Sequence, residues 1–130
     1  MKGKNAIAYV LYNVGCIHPY IISRILAIAE LKYIKEKNRR LTDLEYSGIE
    51  SAFYIENFNN IIEKDKCFKK IEGNPSQKKM GCIEYICQLP EIEQDVSYLD
   101  DAIDLIYDLN ETEMNEIVIK DPNYKLLLKK

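Results

Sequence analysis

The chain has 130 residues, 47% of them hydrophobic and 30% charged, a balance that suits one folded domain with a sizeable core and excludes a disordered chain. A formal net charge of −3 makes it, taken whole, a poor non-specific binder of polyanions. No apolar run reaches the ~18 residues a membrane span requires, because Arg24 and Glu30 interrupt the longest one, so no membrane partner is expected.

The charge is strongly polarised along the chain. Residues 1–40 carry +6, 41–62 carry −4, 63–81 carry +3 and 82–130 carry −8, and from Cys82 to Ile119 there are eleven acidic residues and no basic one. The start, Met1-Lys2-Gly3-Lys4-Asn5, is basic but lacks the apolar core and cleavage site of a signal peptide, so the expected location is cytoplasmic. Nineteen isoleucines, 10 tyrosines and no tryptophan, with abundant Lys and Glu, match a thermophile with an AT-rich genome, archaeal or viral. That bias matters for the four cysteines, which a cytoplasm normally keeps reduced but a hyperthermophile interior does not.

In chain order, Ile7, Ala8, Val10, Leu11 and Val14 recur at helical spacing across residues 4–14, and Gly15 suits a C-terminal cap. Pro19 starts a second helix, where its missing N–H costs nothing. From Tyr20 to Ile34 this helix is apolar almost all round, which predicts a central, buried position. A basic collar follows, Lys35, Lys37, Arg39 and Arg40, and then an extended stretch from Leu41 to Ile49. Residues 51–64 read as a third helix with Phe53, Tyr54, Phe58, Ile61 and Ile62 as its stripe.

Two short strands, 67–72 and 82–89, flank the turn signal Gly73-Asn74-Pro75-Ser76. One antiparallel register sets Ile71 against Ile83, Lys70 against Glu84, Phe68 against Ile86 and Cys67 against Cys87, so that like meets like and opposite charges pair. Ser97 with Asp100 opens a fourth helix, whose inner face is Leu99, Ala102, Ile103 and Ile106. Asn110 with Glu113 opens a fifth, carrying Met114, Ile117 and Val118, and Asp121-Pro122 restarts the chain into a last turn ending in Leu126-Leu127-Leu128.

Helix, helix, extended segment, helix and hairpin is the order of a winged-helix domain. The expected fold class is therefore mainly α with a small β part (α+β). Residues 1–130 form a single domain, with a winged-helix-like core over 1–90, a two-stranded hairpin, and a C-terminal helical extension over 91–130. The stretches "ISRILAIAELKYIKEKNRRLTDLEY" and "LDDAIDLIYDLNETEMNEIVIKDPNY" resemble the Panacea family of antitoxin-like domains. Two departures stand out: Asn38 occupies the place of the family's Gly after the central helix, and Ser51-Ala52-Phe53 that of its Gly-Pro-Val. The resemblance implies a non-enzymatic protein-interaction module that neutralises a co-encoded toxin or serves as an accessory protein of a prokaryotic or mobile-element system.

Catalytic, cofactor and metal sites are not expected. His18 is the sole imidazole and sits where a helix cap is the ordinary role, glycines are scattered singly, and the cysteines lack the close pairing of zinc sites. The aspartates at 100, 101, 104 and 108 lie partly on one helical face without the alternating oxygen ligands of a calcium loop. Candidate partner-binding residues are Phe53, Tyr54 and Phe58, with the acidic C-terminal helices as the alternative surface. The alternative function is a winged-helix DNA-binding regulator, with Asn57, Asn59 and Asn60 on the third helix, Lys78 and Lys79 on the wing, and Arg39 and Arg40 as a separate basic patch. Against it, the third helix has no Lys or Arg before Lys64, and Glu50 and Glu56 would repel phosphate. A third reading is a self-associating structural protein whose charge polarity drives head-to-tail contacts between copies, and a homodimer is a further candidate assembly. Cys67 and Cys87 are a candidate cross-strand disulfide, with free thiols as the alternative.

Overall fold

A computed structural model describes residues 1–74, 76, 81–92 and 95–128. It opens with helix α1 (Gly3–Val14), which buries Ala6, Ile7, Val10 and Leu11 and ends on Gly15, at φ 100°, whose N–H bonds the Leu11 carbonyl at 2.8 Å. Helix α2 (Pro19–Lys37) begins with His18 as N-cap, its Nδ1 accepting from the Tyr20 N–H at 3.1 Å, and with Pro19 at the first helical position. It ends on Asn38 at φ 58°, the left-handed cap that glycine usually takes and asparagine tolerates. Ile22, Ile25, Leu26, Ala29 and Leu31 are all buried, and α2 packs against α1, α4, α5 and α6. Its all-round apolar surface accounts for that central place.

Two charged side chains of this apolar helix are buried, Arg24 and Glu30. Glu30 is fully buried and accepts from the Leu41 N–H (2.7 Å), the Thr42 N–H (3.1 Å) and the Thr42 hydroxyl (2.8 Å), and it pairs with Arg40. Arg40 in turn donates to the Leu44 carbonyl at 2.8 Å. A carboxylate so satisfied orders the loop after α2 and sets where the next strand begins.

Strands β1 (Tyr46–Gly48) and β2 (Phe53–Ile55) form an antiparallel hairpin with Tyr46 opposite Ile55 and Gly48 opposite Phe53. A side chain at Gly48 would collide with the backbone of Ala52 and Phe53, so glycine permits the close approach. This hairpin corrects the expected third helix over 51–64. Phe53 and Ile55 are buried while Tyr54 is exposed, a period of two that belongs to a strand. Asn57, at φ 58°, then turns the chain into α3 (Phe58–Glu63), only six residues long.

Strands β3 (Phe68–Ile71) and β4 (Cys82–Tyr85) pair antiparallel with Phe68 opposite Tyr85 and Ile71 opposite Cys82. The register is one residue away from the expected one. Packing decides it: Phe68 rests against Tyr85, ring centroids 5.3 Å apart, and Ile83 is buried, whereas Ile86 is 58% exposed. Ile83 also exchanges backbone bonds with Ile17 (2.9 and 3.3 Å), tying β4 to the α1–α2 connection. The same place is cross-linked covalently, Cys16 to Cys82, and Cys67 is joined to Cys87 just past the end of β4, with Cα separations of 5.3 and 5.2 Å. No cysteine is left free.

Helix α4 (Val96–Ile106) buries Leu99, Ala102, Ile103 and Ile106, the expected face. It starts one residue before Ser97, and its cap position, Asp95, makes no capping bond; the Asp95 carboxylate accepts from the Tyr33 hydroxyl at 3.1 Å instead. Helix α5 (Glu111–Ile119) has the full capping box of Asn110 and Glu113, at 2.8 and 3.0 Å, and buries Met114 and Val118, while Ile117 is 39% exposed. Helix α6 (Tyr124–Leu127) closes the chain against the first hairpin, the Tyr124 hydroxyl donating to the Ile49 carbonyl at 2.6 Å. Among the described residues the fold is thus mainly helical, about 51% helix, with two small antiparallel two-stranded sheets. Among the described residues no helix is long and apolar enough to cross a membrane.

The core contains a phenol without a partner. Tyr46 is fully buried and its hydroxyl finds no hydrogen bond among the described residues. Burial, reinforced by the Glu30 charge and opposed by Arg40, pushes its pKa well above the ordinary phenol range. Tyr9 is pushed up to about 12, by burial and by Asp100, to which its hydroxyl donates at 2.6 Å. The unfolded chain ionises both near pH ~10. Unfolding therefore releases protons above that value, so these groups leave stability unchanged below pH ~10 and lower it as the pH rises through the folded-state values. Urea unfolding at about pH 8 and about pH 11 should show the loss. Tyr46→Phe should lessen the alkaline loss and gain about 1 kcal/mol at the lower pH, because it deletes an unsatisfied buried hydroxyl.

Candidate functional site

A cleft of about 650 Å³ lies between the first turns of α2 and the segment that runs from β2 into α3. Pro19, Tyr20, Ser23 and Arg24 form one wall, and Ala52 to Ile55 with Asn57 to Asn60 form the other. Because β2 is a strand, the Phe53 ring points into the core and the Tyr54 ring points out, 60% exposed. Phe58, half-buried, follows the left-handed turn at Asn57.

Six of the residues singled out in the sequence line this cleft: the exposed Tyr54, the half-buried Phe58 and the buried Phe53, with Asn57, Asn59 and Asn60 on an exposed rim. Two readings of the sequence, a protein surface and a nucleic-acid surface, therefore converge on one place. Arg39 and Arg40 do not belong to it. They follow the far end of α2, roughly 20 Å along the helix axis from Arg24. Arg39 donates to the Tyr33 hydroxyl at 3.1 and 3.3 Å, and Arg40 is committed to Glu30. Lys78 and Lys79 lie outside the described residues.

Arg24 is the residue that sequence reasoning passed over, although a charge amid an all-apolar helix was the signal available. It is 4% exposed and is the one charged group lining the cleft among the described residues. Its guanidinium is stacked against two rings, its central carbon 3.8 Å from the Tyr20 centroid and 4.1 Å from that of Phe53. Nη1 donates to the Ser23 hydroxyl (2.9 Å) and the Phe53 carbonyl (3.1 Å), and Nη2 to the Asn115 side-chain oxygen (2.8 Å). Arg24 thereby links α2, β2 and α5.

None of these acceptors is charged, and no ion pair among the described residues includes Arg24. Its Nε has no hydrogen-bond partner among the described residues. Burial lowers its pKa from the ordinary value, but arginine starts so high that the group stays charged at neutral pH. A buried cation balanced only by neutral dipoles and ring faces is an arrangement suited to holding an anion.

His18 caps α2, and the four cysteines are bonded in pairs. Among the described residues no three His, Cys, Asp or Glu side chains gather where they could hold a metal ion. The chain matches no protein-family model, no curated protein and no solved structure.

Proposed function

We propose that the protein is a non-enzymatic interaction module that docks a partner protein in the cleft around Phe53, Tyr54 and Phe58, as an antitoxin-like or accessory protein. The convergence of these rings with Arg24 on one concave surface carries the reading. Aromatic residues and arginine supply most of the energy of protein interfaces, and a concave site gives them a pocket in which to be desolvated. The resemblance to Panacea domains points the same way and rests on the residue pattern alone. A cytoplasmic setting belongs to the same proposal and requires an interior that tolerates the two disulfides, as in hyperthermophiles.

The winged-helix description and the DNA-regulator alternative ask more of α3. That helix has six residues, and Lys70, which reaches Asn59 at 3.4 Å, is also held by Glu63 at 3.1 Å. Fluorescence anisotropy of the gene's own upstream DNA would favour that alternative only if saturable binding survived near-physiological salt.

A photoreactive residue at Tyr54 should capture one stoichiometric protein from native lysate, whereas one at Ile86, exposed on the other hairpin, should not. Phe58→Ala should weaken binding of the captured protein about tenfold or more. Equal capture from both positions, or none from Tyr54, would refute the reading.

A further inference from the structure

We infer that the cleft receives the C-terminal carboxylate of a partner polypeptide, with the Arg24 guanidinium as its receptor. The inference rests on the interaction-module reading and specifies what the partner presents. A guanidinium has five N–H groups. Nη1 donates to Ser23 and Phe53 and Nη2 to Asn115, which leaves the second Nη2 hydrogen and the Nε–H, buried and without a partner among the described residues. Those two nitrogens share an edge of the guanidinium, the geometry that takes both oxygens of a carboxylate. The ring stacking of Tyr20 and Phe53 covers its faces and holds that plane in position.

Charge count selects the kind of anion. Among the described residues lining the cleft Arg24 is the single cation and there is no acid, so the site offers one positive charge. That matches a carboxylate, whereas a nucleic-acid backbone is held by several cations along its length. The remaining lining selects a chain end over an internal Asp or Glu. Phe58, half-buried, and Ile55, buried, line the same cleft as the cation and make part of its wall apolar, and a C-terminal residue carries its carboxylate and its side chain on the same Cα. Asn57 and Asn60 are exposed at the rim with no side-chain hydrogen bonds among the described residues, and can serve the amides of the preceding peptide units.

The test is a nuclear magnetic resonance titration of the intact protein with a pool of pentapeptides carrying each natural residue in the last position. Matched pools carry a C-terminal amide, or an internal aspartate with an amidated end. The free-carboxylate pool should shift the Arg24 Nε–H and the backbone signals of Phe53 and Phe58, with apolar last residues preferred. The amidated pool should bind about tenfold more weakly or not at all. Asn60→Asp leaves the Arg24 bonds intact and places a negative charge at the rim, so it should weaken binding several-fold. Arg24→Gln should abolish binding, with the spectrum itself reporting whether the fold survives. Equal binding of acid and amide, equal binding of the internal aspartate, full competition by inorganic phosphate, or indifference to Asn60→Asp would each overturn the inference. If no peptide binds while the Tyr54 cross-link still captures its protein, the carboxylate inference fails and the interaction module stands; if the cross-link also captures nothing, both fail.

Discussion

Reducing both disulfides is expected to lower the stability by about 4 kcal/mol or more and the unfolding midpoint by about 15 °C. The Cys16–Cys82 bond spans 66 residues, and in the chain-entropy account a loop of that length restricts the unfolded chain by roughly 4 kcal/mol. Cys67–Cys87 spans 20 residues, and its loop overlaps the first because Cys82 lies inside it, so the two effects do not simply add. The folded side explains why the hairpin needs them. β3 exposes Lys69, Lys70 and Ile71 and buries only Phe68, and β4 buries only Ile83, too little apolar surface to hold two short strands in place. Melting with and without reductant measures the loss. Removing Cys16 and Cys82 together should cost more than removing Cys67 and Cys87, because the loop is longer. Alkylation should label no cysteine before reduction and all four afterwards. An unchanged midpoint, or four alkylated cysteines in untreated protein, would defeat the prediction.

Much of the helical frame was legible because local signals and burial agree there. The all-round apolar α2, the Gly15 and His18-Pro19 boundaries, the inner face of α4 and the Asn110 capping box each show in the sequence as a spacing or a cap. The first hairpin was not legible. Phe53, Tyr54, Phe58 and Ile61 fit a helical stripe as well as Phe53, Tyr54 and Ile55 fit a strand, and a three-residue strand is too short for periodicity to arbitrate. The deciding contacts are remote: Arg24 on the Phe53 carbonyl, and Tyr124 against the turn. The one-residue slip of the second hairpin has the same origin, since Ile17 pairs with Ile83 from outside the hairpin. The cleft was half legible. Its rings and asparagines stood out by type, whereas Arg24 passed as an interruption of an apolar run, because only the fold brings it to face them.

Glu30→Ala should be the most damaging single substitution away from the cysteines, costing about 3–5 kcal/mol, a large fraction of an ordinary domain's total stability. The carboxylate is fully buried and receives three hydrogen bonds in addition to the Arg40 pair. Its loss strands the Leu41 and Thr42 amides and leaves the Arg40 guanidinium, among the described residues, with the Leu44 carbonyl and the Tyr46 ring but no counter-charge. Glu30→Gln keeps an acceptor for the amides but no charge for Arg40, whose side chain is 30% exposed and retains access to water, so it should cost less. Arg40→Ala combined with Glu30→Ala should cost less than the sum of the two alone, since the second change removes a cation already unpaired. The effect should also reach the cleft. Glu30 fixes the loop that leads into β1, β1 templates β2, and β2 presents the Phe53 carbonyl to Arg24. In a Glu30→Gln protein that still folds, amide exchange should therefore quicken in both strands before it does in α4. Exchange that instead quickened uniformly would mean that Glu30 supports global stability without setting the geometry of the site.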